Sequence, residues 1–156
     1  MSGRVRRAGV RELDRLAAMW TAITRFHEPF DPLFRIREDA EGELNELLRT
    51  MARDPDAVIL VYDENGDLPG LCIARVDFSP PIMQETSRGE ITDLGVREDA
   101  RRRGIGTQLV DEALAWVRAA GVHRVEVHVA KGNRVAQAFW RARGFGDLMD
   151  VLQKRL

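Results

Sequence analysis

Apolar residues along this chain follow two spacings, and the changes between them divide the sequence into elements. A recurrence every three to four residues predicts amphipathic helices at about 13–27, 38–53, 105–120 and 133–140. Apolar β-branched runs or strict alternation predict strands at about 4–8, 57–62, 70–78, 90–96, 122–129 and 147–153. This order of strands and helices predicts an α/β (α+β) fold built on a central sheet.

Composition narrows the class of protein. The chain has 156 residues, of which 44% are hydrophobic and 31% are charged, so a single domain over residues 1–156 with a real core is expected. The net charge of −1 gives no overall reason to expect a nucleic-acid or membrane-surface partner. Cys72 is the one cysteine and cannot form an intramolecular disulfide. Without an apolar stretch of membrane-spanning length or a signal-peptide pattern, a cytoplasmic location is expected.

A basic, glycine-bearing turn stands between the predicted strand at 90–96 and the predicted helix at 105–120. It consists of Arg101, Arg102, Arg103, Gly104, Ile105, Gly106 and Thr107. A strand-turn-helix segment directs several backbone N–H groups to one point beside the positive end of the helix dipole. Phosphate is the usual ligand at such a point. Arginine forks grip phosphate oxygens, and glycines let a ligand approach the backbone. A plain basic, solvated turn is the competing interpretation.

Two other phosphate-binding motifs do not fit this turn. A P-loop requires a lysine directly after its last glycine, and no lysine follows Gly104 or Gly106. A dinucleotide-binding fingerprint requires a third glycine where this chain has Leu109. The remaining pattern, Arg/Gln-x-x-Gly-x-Gly/Ala after a strand ending in Val96, closely resembles the signature of the GNAT superfamily, the acyl-coenzyme A-dependent N-acetyltransferases.

A second motif strengthens the resemblance, which extends along nearly the whole chain. The family's Asn-x-x-Ala-x-x-Phe/Leu-Tyr-x-x-x-Gly-Phe is matched here at Asn133, Ala136, Phe139, Trp140, Gly144 and Phe145, with tryptophan in place of tyrosine. The resemblance implies a mixed sheet of six to seven strands flanked by helices, and acetyl-CoA as co-substrate. It implies cofactor contacts at Leu94, Gly95, Val96, Arg101, Arg102, Arg103, Gly104, Ile105, Gly106, Thr107, Asn133, Ala136 and Trp140.

The resemblance also implies how the acyl donor is held. The fourth and fifth strands are expected to part, so that unpaired backbone groups bind the pantetheine arm like an extra strand. The N–H of Val96 then faces the thioester carbonyl, and Leu94 contributes backbone contacts. Gly95 between them suits a close approach. An ordinary strand end is the competing interpretation.

Two acidic residues on the fourth strand, Glu90 and Asp93, are the candidates for the general base. Regular alternation puts Glu90 on one face with Leu94 and Val96, and Asp93 on the other. At most one of the two carboxylates is then expected to meet the acceptor. A buried carboxylate takes a proton directly or through water, since burial raises its pKa. Alternatively, Glu90 is solvated and Asp93 only binds a cationic acceptor.

Trp140 stands where the family often has a tyrosine that protonates the leaving thiolate. An indole N–H donates a hydrogen bond but is no proton donor at accessible pH, so the thiolate leaves unprotonated, or water or another group serves. Core packing is the competing role for Trp140. Asn133 is suited both to cofactor contact and to capping a helix. His128 is a candidate for the acceptor cleft, although a structural role is commoner, and no spacing indicates a metal site.

The sequence therefore predicts an N-acetyltransferase that moves an acetyl group from acetyl-CoA to a primary amine of a small molecule by direct attack in a ternary complex. The acidic pair on the fourth strand and the lack of any extended basic feature favour a small amine. Two alternatives remain: acetylation of protein or peptide N-termini or lysines, and a non-catalytic acyl-CoA-binding sensor. A homodimer is a further expectation. The aromatic residues Phe26, Phe30 and Phe34 are expected in the core, with an acceptor pocket as the alternative.

Overall fold

The computed structural model describes residues 2–156 and shows a five-stranded sheet with helices on both faces. The elements are β1 (Arg4–Arg7), α1 (Leu13–His27), α2 (Glu41–Arg53), β2 (Ala57–Glu64), β3 (Asp67–Phe78), β4 (Ser87–Val96), α3 (Ile105–Ala119), β5 (Val125–Val127) and α4 (Arg134–Ala142). These positions agree with the sequence prediction to within a few residues, except for β5, which is shorter. None of the helices in this range is long and apolar enough to cross a membrane.

The sheet has the spatial order β1-β2-β3-β4-β5. The first four strands run antiparallel to their neighbours, and β5 runs parallel to β4. The β2–β3 connection turns tightly at Asn65 and Gly66, whose φ values of 56° and 88° are those of a hairpin turn. The helix α3 crosses over between β4 and β5, because parallel strands cannot be joined by a tight turn.

Two apolar cores cover the two faces of the sheet. On one face, α3 and α4 pack on strand residues that include Leu60, Cys72 and Ile91. On the other face, α1 and α2 pack on Ile59, Leu71 and Ile73. Strand β2 is buried on both sides, which explains why its sequence is continuously apolar instead of alternating. Burial also raises the pKa of the Cys72 thiol to about 12, so this cysteine is an inert core residue.

The predicted sixth strand at residues 147–153 is wrong, and the sheet has five strands in place of six to seven. The segment after α4 forms no strand, because the three-residue β5 offers it little edge for pairing. Its polar side chains bind elsewhere: Asp150 pairs with Lys131, while Gln153 and Arg155 both donate to Asp31. Several apolar side chains of the segment are exposed, namely Leu148, Met149, Val151 and Leu152.

Candidate active site

Strands β4 and β5 part after three paired residues and leave an open edge. The ladder joins Gly89, Glu90 and Ile91 to β5, and within residues 2–156 no strand pairs with this edge of β4 beyond Ile91. The N–H of Arg97 points the other way and donates to the carbonyl of Pro69 at 2.8 Å. Because N–H directions alternate along a strand, those of Val96 and Leu94 point into the crevice. The structure thus has the parted strands that the sequence predicts.

The turn before α3 presents free backbone donors at the end of this crevice. The first helical hydrogen bond runs from the Gln108 N–H to the Gly104 carbonyl at 3.1 Å. No side chain of residues 2–156 caps the helix. The N–H groups of Ile105, Gly106 and Thr107 therefore lack an acceptor and converge beside the positive end of the helix dipole. Gly104 has φ 79°, the left-handed conformation that glycine adopts without strain.

The three arginines of the turn have different surroundings. Arg101 donates to the Val96 carbonyl at 3.1 Å, and Arg102 is exposed with φ 62°. Arg103 forms a two-pronged ion pair with Glu64, whose pKa is lowered mainly by that hydrogen bond. The charge of Arg103 is therefore partly neutralised within the protein. The side chain of Ile105 lies in the core, so this residue offers only its main chain to a ligand.

Arg143, just after α4, is a site residue that the sequence prediction missed. Its Nη2 donates to Thr107 Oγ1 at 2.6 Å, and its guanidinium lies 4.9 Å from the ring centre of Phe139. This places a fourth arginine beside the unpaired N–H groups of the turn. Its position directly before Gly144, inside the second motif, was the available signal.

A β-bulge in β4 changes which of its side chains share a face. Ile73 of β3 pairs with Asp93. The next residue, Ala74, pairs with Ile91, so Thr92 has no partner across the ladder. One extra residue on one strand is the definition of a bulge, and it interrupts the alternation of side chains.

The bulge brings the two candidate carboxylates to the same face of the sheet. Glu90 lies opposite Arg75, and Asp93 lies opposite Ile73. Opposed residues of an antiparallel pair point the same way, and Arg75 and Ile73 are two positions apart on β3. The prediction that Glu90 and Asp93 lie on opposite faces is therefore wrong, because it assumed regular alternation through Thr92.

Glu90 is engaged in an ion-pair network. Its Oε2 lies 3.2 Å from Nη2 of Arg75, which also pairs with Asp77 at 3.1 Å. The guanidinium of Arg75 thus occupies one carboxylate oxygen of Glu90 with a charge-assisted hydrogen bond. Glu90 is therefore poorly placed to act as a base.

Asp93 has the surroundings that suit proton uptake. Burial raises its pKa, and this effect outweighs hydrogen bonds from Thr92 and Trp20 and the charge of His27, which lower it. The Thr92 hydroxyl donates to Asp93 Oδ2 at 2.7 Å. Among residues 2–156 no arginine or lysine forms an ion pair with Asp93. A half-buried carboxylate without a cationic partner attracts a cation and accepts its proton.

His27, at the end of α1, joins the two sides of the site. Its Nδ1 lies 2.9 Å from the carbonyl of Ile23, and its Nε2 lies 3.5 Å from Nδ2 of Asn133. Asn133 caps α4 by accepting the N–H of Ala136 at 3.1 Å. The imidazole is surrounded by rings 5.6 to 5.8 Å away, those of Phe26, Phe30 and Phe34. These aromatic side chains therefore pack around a polar group, and Phe26 is 53% exposed.

Gly95, Trp140 and His128 are three further residues that the sequence analysis considered for the site. A Cβ added to Gly95 would lie 2.2 Å from Ile23, so the close approach at this glycine is made by α1. Trp140 packs between Phe139 and Phe145 in the core and is only 6% exposed, which leaves little of it for a ligand. His128 is exposed one residue past β5.

A cavity lies between α1, α2 and the segment that joins them. It has a volume of about 510 Å³, and its lining is mainly apolar, with Trp20, Phe34, Ile36 and Leu44 beside the charged residues Arg35 and Glu43. Trp20, which lines the cavity, also opposes the rise that burial causes in the pKa of Asp93, so this side chain connects the cavity with the carboxylate. A space of this size holds a small organic molecule.

Comparison with known proteins agrees with this geometry. The model of the Acetyltransferase (GNAT) family matches residues 16–145, and the chain therefore belongs to this family. A mycothiol acetyltransferase of Beutenbergia cavernae is 40% identical over 92 residues, which are 59% of this chain and 29% of that protein. The homolog of the N-terminal acetyltransferase complex ARD1 subunit from Dictyostelium discoideum is 32% identical over 83 residues, 53% of this chain and 38% of that protein.

A solved structure shares the fold. The predicted acetyltransferase from Clostridium acetobutylicum, solved with acetyl-CoA, superposes with a TM-score of 0.77 at 17% identity and covers 98% of this chain and 96% of that chain. In contrast, the chain spans between about a quarter and two fifths of the length of the curated relatives that it matches.

Proposed function

We propose that the protein is an acetyl-CoA-dependent N-acetyltransferase that acetylates a primary amine of a small molecule by direct attack in a ternary complex. The observation that carries the proposal is the meeting of two sites at one crevice. An anion-binding turn and an unpaired strand edge lie on the α3 side. A half-buried, unpaired carboxylate, Asp93, lies on the α1 side next to a cavity.

The residues of the crevice fit acetyl-CoA. The N–H groups of residues 105–107 suit a diphosphate, and Arg101, Arg102 and Arg143 add positive charge around it. The outward N–H groups of Leu94 and Val96 suit the pantetheine arm, and that of Val96 suits the oxygen on which negative charge develops. When bound, acetyl-CoA supplies an acyl group activated as a thioester. The acetyl-CoA in the Clostridium acetobutylicum structure supports this choice.

Asp93 is the residue that prepares the amine in this proposal. A primary amine is mostly protonated near neutral pH, since its pKa is about 10, and it must lose a proton before it attacks. The Asp93 carboxylate attracts the ammonium group and takes that proton directly or through water. Its raised pKa brings it closer to the working range of a general base. Glu90, held by Arg75, contributes negative charge nearby without taking part in proton transfer.

The cavity beside Asp93 indicates the size and character of the acceptor. Its volume of about 510 Å³ and its apolar lining suit a small amine with an apolar portion. The similarity to mycothiol acetyltransferase supports a small-molecule acceptor. The similarity to the ARD1 homolog favours a second candidate, the terminal amine of a peptide, which the open side of the same cavity would admit.

Release of free thiol from acetyl-CoA tests the proposal. The full chain is incubated with acetyl-CoA and a panel of small apolar amines, polar amines, lysine and short peptides, and products are identified by mass spectrometry. We expect turnover with the small apolar amines and weaker turnover with polar ones. Turnover confined to peptides would establish the second candidate. Binding of acetyl-CoA without thiol release under any condition would overturn catalysis and indicate an acyl-CoA sensor.

A further inference from the structure

The proposed transfer leaves one proton without a carrier. The ammonium of the acceptor loses two protons, and one of them has to reach the sulfur that leaves. Asp93 accounts for the first proton only. Trp140 replaces the family's tyrosine, is buried in the core and is no proton donor. The sulfur then leaves as a thiolate or takes its proton from water, unless a second protein group carries the proton to it.

We infer that His27 is this group: its Nε2 accepts the second proton from the attacking nitrogen and returns it to the departing sulfur. This inference rests on the proposed function and assigns it a residue on α1. Histidine is the side chain whose unperturbed titration lies closest to neutral pH, so it both accepts and releases a proton there.

The hydrogen bonds around His27 fix which nitrogen is available. The Ile23 carbonyl 2.9 Å from Nδ1 can only accept, so Nδ1 carries a proton and Nε2 of the neutral ring carries a lone pair. The same tautomer of His27 is indicated independently by the contact with Asn133. Because its Oδ1 accepts the Ala136 N–H, its Nδ2 is the atom directed at Nε2, and an amide nitrogen donates. Both contacts identify Nε2 as the unprotonated nitrogen. Its lone pair is directed at the Asn133 amide 3.5 Å away, so this amide has to turn aside when Nε2 takes a proton.

The location of His27 suits transfer between two reactants on opposite sides of the crevice. It lies at the end of α1, and its Nε2 is 3.5 Å from Asn133 at the start of α4, so it connects elements from the two faces of the sheet. The three phenylalanine rings around it limit access by water, and Phe30 in turn lies against the loop before α4 at Gly132. A shielded imidazole keeps a proton between the two steps in place of losing it to solvent.

Several charged groups come from the elements around His27. From β4, Asp93 is near enough that the charge of His27 opposes the rise that burial causes in the pKa of the Asp93 carboxyl. From the loop before α4, Lys131 is paired with Asp150. From the segment after α1, Asp31 is engaged by Arg155. The remaining charged neighbours are on its own element, at Arg25 and Glu28. Asp93 is thus the one facing charge without an ion-pair partner in residues 2–156.

The proton and electron balance closes with these two residues. Asp93 takes the first proton of the ammonium and passes it to solvent. The nitrogen lone pair forms the bond to the acyl carbon, and Nε2 of His27 takes the second proton. The carbon–sulfur bond then breaks, its electron pair stays on sulfur, and Nε2 gives its proton to that sulfur. The products are the amide, the free thiol and one proton released to solvent.

Replacement of His27 by glutamine tests the assignment, with His123→Gln as the matched control on an exposed loop. On the best amine of the panel, kcat of His27→Gln is expected to fall by about 100-fold or more, the usual loss for a proton-transfer group. The acid limb of its pH profile is expected to become less steep, because one of two required proton acceptors is gone. The control is expected to keep both properties. Thermal unfolding and acetyl-CoA affinity check that each variant is folded.

Two further measurements separate proton transfer from a structural role. Added imidazole is expected to restore part of the activity of His27→Ala with a pH dependence of its own, which a structural histidine would not allow. Nitrogen-15 NMR of the free protein is expected to show the Nδ1–H tautomer of His27 without any turnover. An Nε2–H tautomer, an unchanged acid limb or absent rescue would overturn the assignment while wild-type activity stands. Absence of wild-type thiol release would instead overturn the proposed function itself.

Discussion

The two ends of the crevice, which we propose to bind the donor and the acceptor, are built by different means. At the α3 end, the donors are main-chain N–H groups of consecutive residues, 105–107, and the conformation of one glycine sets their direction. At the α1 end, the functional groups are side chains of Asp93, Trp20, His27 and Asn133, which come from β4, α1 and α4. The first end is built from one short segment, whereas the second exists only when three distant segments have folded together.

This difference determines how each end of the crevice responds to an amino-acid substitution. A main-chain site depends on backbone conformation, so most side-chain substitutions leave it intact and a glycine replacement damages it. A side-chain site depends on the identity of each group, so a single isosteric replacement removes its chemistry while the fold persists. The predictions that follow use this contrast, beginning with the replacement expected to cost the most.

Asp93→Asn should abolish most activity without affecting the donor end. The amide keeps the size of the carboxylate but neither attracts an ammonium nor accepts its proton, so kcat/KM should fall by about 10²–10⁴-fold. The affinity for acetyl-CoA, measured by calorimetry, should stay unchanged. Glu90→Gln, on the same strand and face, is the matched control and should lose far less because Glu90 is already paired with Arg75. Equal losses in both variants would contradict the distinction between them.

The same variant should also alter how stability depends on pH. Because burial raises the folded-state pKa of Asp93, the native protein binds more protons there than the unfolded chain does. The free energy of unfolding of the wild type should therefore fall as pH rises from the ordinary aspartate value through the raised one. Asp93→Asn should lack this fall and be the more stable protein near pH 7 in urea titrations. A less stable variant at pH 7 would contradict the burial cost.

Gly104→Ala should damage the α3 end through the backbone alone. Its φ of 79° is unfavourable for alanine and costs about 1–2 kcal/mol, so the turn should relax and its N–H groups should diverge. Acetyl-CoA affinity should fall by about tenfold, the equivalent of about 1.4 kcal/mol. Gly66→Ala is matched, since Gly66 has φ 88° and, like Gly104, open space around an added Cβ. Gly66→Ala should lose a similar amount of stability but no affinity for acetyl-CoA. If Gly66→Ala lost as much acetyl-CoA affinity as Gly104→Ala, the assignment of the turn to the cofactor site would be contradicted.

Glu64→Gln should strengthen the α3 end by a small amount. Release of Arg103 from its ion pair restores a free positive charge beside the turn. Acetyl-CoA affinity should rise by about two- to fivefold at low salt and less at high salt, since an exposed charge is screened. Glu85→Gln, which removes one of the two carboxylate partners of Arg124 directly before β5, should have no such effect. An unchanged affinity in Glu64→Gln would show that Arg103 does not face the ligand.

Trp140→Phe should have the smallest effect on turnover. The indole packs in the α3-side core, so a smaller ring should cost about 1–3 kcal/mol of stability. The pH profile of kcat should keep its shape, because the indole exchanges no proton. Loss of the alkaline limb in this variant would contradict the core role and restore Trp140 as a participant.

The same contrast explains what the sequence could predict. The four helices, the first five strands and the glycine turn depend on local patterns, and they appear in the structure. The parting of β4 and β5 was implied by the family resemblance, and it appears as well. The shared face of Glu90 and Asp93 could not be predicted, because a bulge at Thr92 has no signature in this stretch. The His27–Asn133 contact joins residues 106 positions apart, which spacing does not reveal. The prediction of a sixth strand was wrong because an alternating segment forms a strand only beside a partner strand with a free edge.

The extra residue at Thr92 also bears on how such enzymes diversify. Loss of that one codon would restore a regular pleat and turn Glu90, with the rest of the strand before it, to the opposite side of the sheet. A lineage could thereby replace Glu90 by Ile91 on the α1 face of the sheet in a single genetic event. Families that differ by such one-residue gaps on this strand would then be expected to differ abruptly in the amines they accept.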